Sequence, residues 1–161
     1  MLCENNEYFY IILDEIYYKN VSKLVHGIDL SEAKNVILSD NFLYNFPSLH
    51  SLYISYLNLD RINDAWFQIN NNNILNLNIN NNKIRRILKS NFNNLKKLYY
   101  LNLSSNKIDF VELDSFSAMK DLFELNLENN ILTKLNFGIS YVRSLNLRKN
   151  YITEVNTYSF Q

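Results

Sequence analysis

The sequence predicts an α/β solenoid, a curved right-handed coil with a parallel β-sheet on its concave face and turns or short helices on its convex face. Three observations predict it. The pattern LxxLxLxxNxL recurs along the chain; its asparagines at 82, 106, 130 and 150 keep spacings of 24, 24 and 20 residues; and phenylalanine returns ten residues after that position at 67, 92, 116 and 160. Self-similarity at such a period marks stacked supersecondary units, none of which can bury its apolar face alone.

Five segments carry the pattern: 49–59 (LHSLYISYLNL), 74–84 (ILNLNINNNKI), 98–108 (LYYLNLSSNKI), 122–132 (LFELNLENNIL) and 142–152 (VRSLNLRKNYI), with 33–43 (AKNVILSDNFL) as a weaker sixth. In a short strand alternate side chains share a side, so Leu101 and Leu103 both enter the core. Leu98 and Ile108 follow where the chain bends into and out of that strand. Beyond the strand the chain turns sharply and leaves backbone groups without sheet partners. The amides of Asn82, Asn106, Asn130 and Asn150 suit those groups and predict a ladder, because an unpaired buried polar group costs about 1–3 kcal/mol. Phe67, Phe92, Phe116 and Phe160 are predicted to fill the wider, convex side of the core. Residues 93–97 and 117–121 suit a short helix or turn outside it.

The departures from the pattern carry their own expectations. Leu57 stands in an asparagine slot, so the turn after Ile54 needs other polar partners or water. Residues 33 and 49 are too close for a full coil turn, whereas the frame 25–35 (VHGIDLSEAKN) restores the step but puts Ala33 in the asparagine slot; both frames stay open. Residues 1–24 are aromatic and β-prone, and predict a strand or hairpin cap, followed by about five to six repeats over 25–161 with no C-terminal cap. Val142, Leu145, Leu147, Ile152 and Phe160 would then face water at one end. That arrangement predicts a fragment of a longer gene product more than self-association through this end.

Composition narrows the chemistry. Lysine and arginine (16) balance aspartate and glutamate (16) in 161 residues, so no global field steers the chain to nucleic acid or to an anionic membrane. No apolar stretch approaches the roughly 20 residues of a membrane span. The lone cysteine, Cys3, fits a reducing compartment. His26 and His50 have no cysteine or spaced carboxylates beside them that would suggest a metal set. No nucleophile motif and no glycine-rich phosphate cradle is present, so catalytic, cofactor-binding and metal residues are none, and an enzyme is not expected.

The candidate surface is the concave face, whose outward positions follow from strand alternation. Its central row reads Tyr53, Asn78, Asn102, Asn126, Asn146, with Ser51, Asn76, Tyr100, Glu124, Ser144 on one side and Ser55, Asn80, Ser104, Glu128, Arg148 on the other. Tyrosine and arginine are enriched at interfaces, and a few residues dominate their energy. Tyr53, Tyr100, Asn102, Glu124, Asn126, Glu128, Asn146 and Arg148 are therefore the candidates for contact with a protein partner. The alternative is a merely solvated sheet face. Asn20 and Asn102 head glycosylation triplets, and a glycan on Asn102 would block the face in a secreted chain. The basic run Lys83, Arg85, Arg86, Lys89, Lys96, Lys97 is expected on the turn and convex side, as solvated charge.

Residues 98–119 (LYYLNLSSNKIDFVELDSFSAM) resemble the leucine-rich-repeat proteins of the animal extracellular type. The stretches 36–47 (VILSDNFLYNFP) and 52–67 (LYISYLNLDRINDAWF) are similar to N-terminal repeats of insect immune and Toll-like members, among them the mosquito leucine-rich-repeat immune proteins that form complexes with a complement-like thioester protein. The resemblance implies a leucine-rich-repeat solenoid that is extracellular and binds protein in innate immunity. It also implies disulfide-capped ends and, in the mosquito proteins, a coiled coil, and this sequence shows neither. The alternative expectation is a cytoplasmic scaffold or adaptor, or a truncated product with no independent function.

Overall fold

Wherever one inward leucine or isoleucine sits between two outward residues, a three-residue strand forms; longer strands would break the corner that follows. In the computed structural model, which describes residues 25–160 except 32, 34, 35, 45 and 69–72, the strands are β1 (Gly27–Asp29), β2 (Ser51–Tyr53), β3 (Asn76–Asn78), β4 (Arg86–Ile87), β5 (Tyr100–Asn102), β6 (Phe110–Val111), β7 (Glu124–Asn126), β8 (Lys134–Leu135), β9 (Ser144–Asn146) and β10 (Glu154–Val155). Six of them make one parallel sheet in the order β1-β2-β3-β5-β7-β9. Its register sets Ile28, Leu52, Leu77, Leu101, Leu125 and Leu145 side by side. The expected cap over residues 1–24 lies outside the described residues.

The sheet also decides between the two N-terminal frames. Gly27 pairs with Ser51, so the repeat is the one over 25–35, and the 33–43 reading is corrected. A parallel neighbour requires a whole crossover between strands, and the shorter step leaves too little chain for one. Residues 40–44 instead form a convex turn that buries Phe42 and Leu43.

The apolar column is continuous. Leu52, Leu77, Leu101 and Leu125 are fully buried, as are Ile54, Ile79, Leu103 and Leu127 one step along each strand. Fully burying a side chain of this size stabilises by about 1.5–3 kcal/mol before entropy is counted. Val142, Leu145, Leu147 and Ile152, in the last repeat, pack against the same core but stay partly exposed.

On the convex side, rings fill the gap that short strands leave. Phe67, Phe92 and Phe116 follow one another at 6.4 and 6.3 Å between ring centroids, and Phe137 continues the file 5.6 Å from Phe116, edge to face. Phe160 does not belong to it. It is 59% exposed, which corrects the expectation of a core position. The step from Asn130 to Asn150 is four residues shorter than its predecessors, so the convex arm turns inward early and delivers Phe137. Phe160 comes after the last ladder asparagine, and no further repeat covers it among the described residues. Around the file run 3-10 turns (Asp64–Phe67, Lys89–Asn91, Thr157–Phe160) and two parallel strand pairs, β4 with β6 and β8 with β10.

Candidate functional site

The corner after each sheet strand fixes the edge of the concave face. Asn81, Ser105, Asn129 and Lys149 sit there with φ between 53° and 57°, the left-handed conformation that reverses the chain tightly. The following asparagine holds the corner. Asn82 Nδ2 donates to the carbonyls of Ile54, Ile79 and Asn80 at 2.9–3.1 Å. Asn106, Asn130 and Asn150 repeat the arrangement on the carbonyls of their own and the preceding repeat. Their Oδ1 atoms accept from the N–H of Ile84, Ile108 and Leu132 respectively. The slot occupied by Leu57 is served from next door: Asn82 Oδ1 accepts from both Leu57 N and Leu59 N, at 3.0 and 3.1 Å.

The central row of the concave face proves to be a second set of local braces. Oδ1 of Asn78, Asn102, Asn126 and Asn146 each accepts from the backbone N–H two residues on, at 2.9–3.2 Å, and Asp29 does the same for Ser31. Short amide side chains make such turns readily. Asn102 is only 8% exposed, so its place among the contact residues is corrected. A glycan there would have no room without opening the face. Ser55 and Ser104 are also buried, so the row beside it is open mainly at Glu128 and Arg148.

Two clusters remain open. Tyr100 stands in register between Asn76 and Glu124, with Tyr53 nearby in the central row. Burial first, then the Glu124 carboxylate, hold the Tyr100 phenol above its ordinary pKa; a hydrogen bond with Asn102 opposes them and Tyr53 adds a smaller upward push. The phenol therefore stays a hydrogen-bond donor across the physiological range. In the second cluster Glu128 pairs with Lys149 at 2.9 Å and accepts from Asn146 Nδ2 at 3.0 Å, with Arg148 exposed beside them.

Hydrogen bonds from Lys149 and then Asn146 hold the Glu128 carboxyl below the usual carboxylate range. Its contribution is thus complete above the unfolded-state value and is lost as pH falls through the lower folded-state value. Carboxyl NMR titration is expected to place Glu128 below the ordinary glutamate value, and Lys149→Ala to move it back up. A midpoint indifferent to Lys149 would remove the pair as the cause. The pair is open to solvent, so salt should weaken the effect.

Sequence reasoning missed a convex polar file. Asn91 Nδ2 donates to Ile62 O and Asp64 Oδ1, and its Oδ1 accepts from Leu88 N. Ser115 Oγ donates to Ile87 O and Ser159 Oγ to Leu135 O. The only signal was the polar residue just before each convex phenylalanine at 92, 116 and 160. The basic run divides: Arg85 pairs with Asp109, Lys89 with Asp114, and Arg86 lies 4.7 Å over the Phe110 ring. Lys96 and Lys97 instead occupy the turn leading into β5.

Among the described residues no group of three histidine, cysteine, aspartate or glutamate side chains could hold a metal, and no helix is long and apolar enough to cross a membrane. The leucine rich repeat family matches residues 72–132. No curated protein sequence matches the chain. Among solved structures, the leucine-rich repeat domain of APL1B is similar at 23% identity and a TM-score of 0.62, over 85% of this chain and 43% of that one. Listeria monocytogenes InlP is similar at 26% identity and a TM-score of 0.66, over 81% of this chain and 36% of that one. TLR13, in its complex with ssRNA13, is similar at 25% identity and a TM-score of 0.63, over 84% of this chain and 23% of that one. The chain thus spans less than half the length of each. With the matched repeats, the six-stranded parallel sheet and an asparagine at four successive corners, the chain has the fold of a leucine-rich-repeat solenoid, similar to APL1B and TLR13.

Proposed function

We propose that this chain is a non-catalytic module that holds a protein partner against its concave face, in the manner of an extracellular innate-immune recognition protein. The observation that carries the reading is the Tyr53, Tyr100 and Glu124 cluster, set on a sheet whose central asparagines, Asn102 and Asn126, are already engaged. Two rigid aromatic side chains with polar tips, on a preorganised surface, lose little entropy on binding. Glu128 and Arg148 supply charge at the rim. The fold likeness to APL1B and TLR13 supports the immune setting. The TLR13 structure is a complex with single-stranded RNA, but this chain's balanced charge gives a nucleic acid no comparable attraction.

The test is recovery of partners from insect haemolymph by the immobilised chain, compared with a Tyr53→Ala, Tyr100→Ala, Arg148→Ala variant. Loss of at least one specific protein by about tenfold is expected, the scale of two or three interface anchors. Equal recovery would remove the concave face as the binding surface. The lone cysteine, Cys3, supports a second reading, a cytoplasmic scaffold using the same face. A soluble chain with a cooperative melt after expression in a reducing cytosol would favour it.

A further inference from the structure

One row of side chains lies just outside the sheet, on the flank by which the chain enters each strand. His26, His50, Leu75, Tyr99, Phe123 and Arg143 occupy the same position in six successive repeats. Their backbones extend the sheet by one rung: His50 N donates to His26 O, Leu75 N to His50 O, Tyr99 N to Leu75 O, Phe123 N to Tyr99 O and Arg143 N to Phe123 O, all at 2.8–2.9 Å. The side chains are ordered by one another. The rings of Tyr99 and Phe123 stack at 5.1 Å and 6°, and those of His26 and His50 at 5.3 Å and 21°. Yet the row is open to water, with Leu75 37%, Tyr99 49% and Phe123 43% exposed.

The charge beside this stripe is lopsided. Lys96, Lys97, Lys120, Asp121 and Tyr141 lie in the turns that lead into Tyr99, Phe123 and Arg143, within three residues of that row. Among the described residues none of Lys96, Lys97, Lys120 and Arg143 forms an ion pair, although Lys97 Nζ reaches Asn73 Oδ1 at 3.2 Å. On the convex side, by contrast, Arg85, Lys89 and Lys134 each have a carboxylate partner. One acidic residue, Asp121, stands among four cations.

We propose that this flank is a docking surface for an acidic polypeptide segment carrying aromatic or aliphatic side chains. Apolar side chains of the segment cover Leu75, Tyr99 and Phe123, and its carboxylates meet Lys96, Lys97, Lys120 and Arg143. The stacked rings are already held in place, so ordering them costs little on binding, and a row of aromatics beside cations is a favoured interface composition. A nucleic acid fits less well. The gap between Tyr99 and Phe123 is closed by their own stacking, which leaves no slot between them for a base. The flank is distinct from the Tyr53 and Tyr100 cluster, so the two surfaces stand or fall separately.

The experiment pans a phage-displayed library of linear dodecapeptides against the folded chain, then measures the leading peptide in solution. Enriched peptides are expected to carry net negative charge and an aromatic residue. Their affinity should fall about tenfold or more in Tyr99→Ser with Phe123→Ser, and by a similar factor in Lys96→Glu with Lys97→Glu, the scale of losing interface anchors. Tyr53→Ala with Tyr100→Ala should change it by less than about twofold, because Tyr100 pairs with Asn76 and Glu124 in the sheet and is not a member of the flank row. All substituted residues are at least partly exposed, and unchanged melting curves verify folding. Failure to enrich, peptides without acidic bias, or tighter binding of a single-stranded oligonucleotide would overturn the proposal. So would loss of affinity with the Tyr53 and Tyr100 variant alone, which would leave the concave reading intact. A concentration-dependent dimer abolished by Tyr99→Ser would assign the flank to a second copy instead, and also overturn it.

Discussion

Phe92→Ala is expected to destabilise the chain by about 3–5 kcal/mol, the cost of deleting a fully buried aromatic side chain. Phe92 is wholly covered and lies between Phe67 and Phe116 in the convex file. Its removal therefore strips one contact face from each neighbour as well as opening a void. The surroundings have little means to collapse into that void. Leu95 and Leu98 are anchored by the turn in which Leu95 N donates to Phe92 O and Leu98 N to Leu95 O, and the sheet fixes the other wall. Repeat stacks hold together through nearest-neighbour interfaces, so a defect in the middle weakens both halves. Urea unfolding read by circular dichroism measures the loss. Phe160→Ala, in the same place of the repeat by sequence, is expected to change stability by no more than about 0.5 kcal/mol, as exposed substitutions do. Equal costs at the two positions would mean that the convex file does not run as described.

That pair shows which features the sequence made legible. Periodicity reports what every repeat must do, so Leu52, Leu77, Leu101 and Leu125 could be placed side by side from spacing alone. It misleads where one repeat changes length. The short step between Asn130 and Asn150 was visible, but ten residues on from Asn130 stands Ser140, so the count passed over Phe137, which fills that repeat, and it selected Phe160 after Asn150, which is exposed. The N-terminal frame was ambiguous for the same reason: Ala33 lacks the polar side chain that marks the corner, and only the pairing of Gly27 with Ser51 supplies the missing mark.

The concave face was legible in direction but not in availability. Alternation correctly says that Asn102, Asn126 and Asn146 point away from the core. It does not say that each closes a turn onto the N–H of residues 104, 128 and 148, which occupies its oxygen. Outward residues are thus of two kinds, braces and free side chains, and sequence alone gives both the same address. The flank row escaped because a strand pattern ends where alternation ends, while the hydrogen bonding continues one residue further, through Leu75, Tyr99 and Phe123.

Asn106→Ala should cost about 3–4 kcal/mol, since each buried group left unpaired costs about 1–3 kcal/mol and such penalties overlap. Asn106 donates to Ile79 O, Leu103 O and Ser104 O at 3.0–3.3 Å and accepts from Ile84 N at 3.1 Å. Ile84 is fully buried, so no water replaces the lost acceptor. Asn126→Ala gives the contrast: its Oδ1 serves a single N–H, that of Glu128 at 2.9 Å, at the partly exposed sheet surface, and its loss should cost about 1 kcal/mol. Asn106→Asp separates hydrogen bonding from shape. The introduced carboxylate keeps an acceptor for Ile84 N but faces three carbonyl oxygens with no proton to give. Its stability should therefore be lowest at neutral pH and should rise as acid protonates the group, opposite in sign to the Glu128 contribution. Chemical unfolding at two pH values reads both effects. A flat pH response for Asn106→Asp, together with equal costs for Asn106→Ala and Asn126→Ala, would show that the corner asparagines are not what holds one repeat to the next.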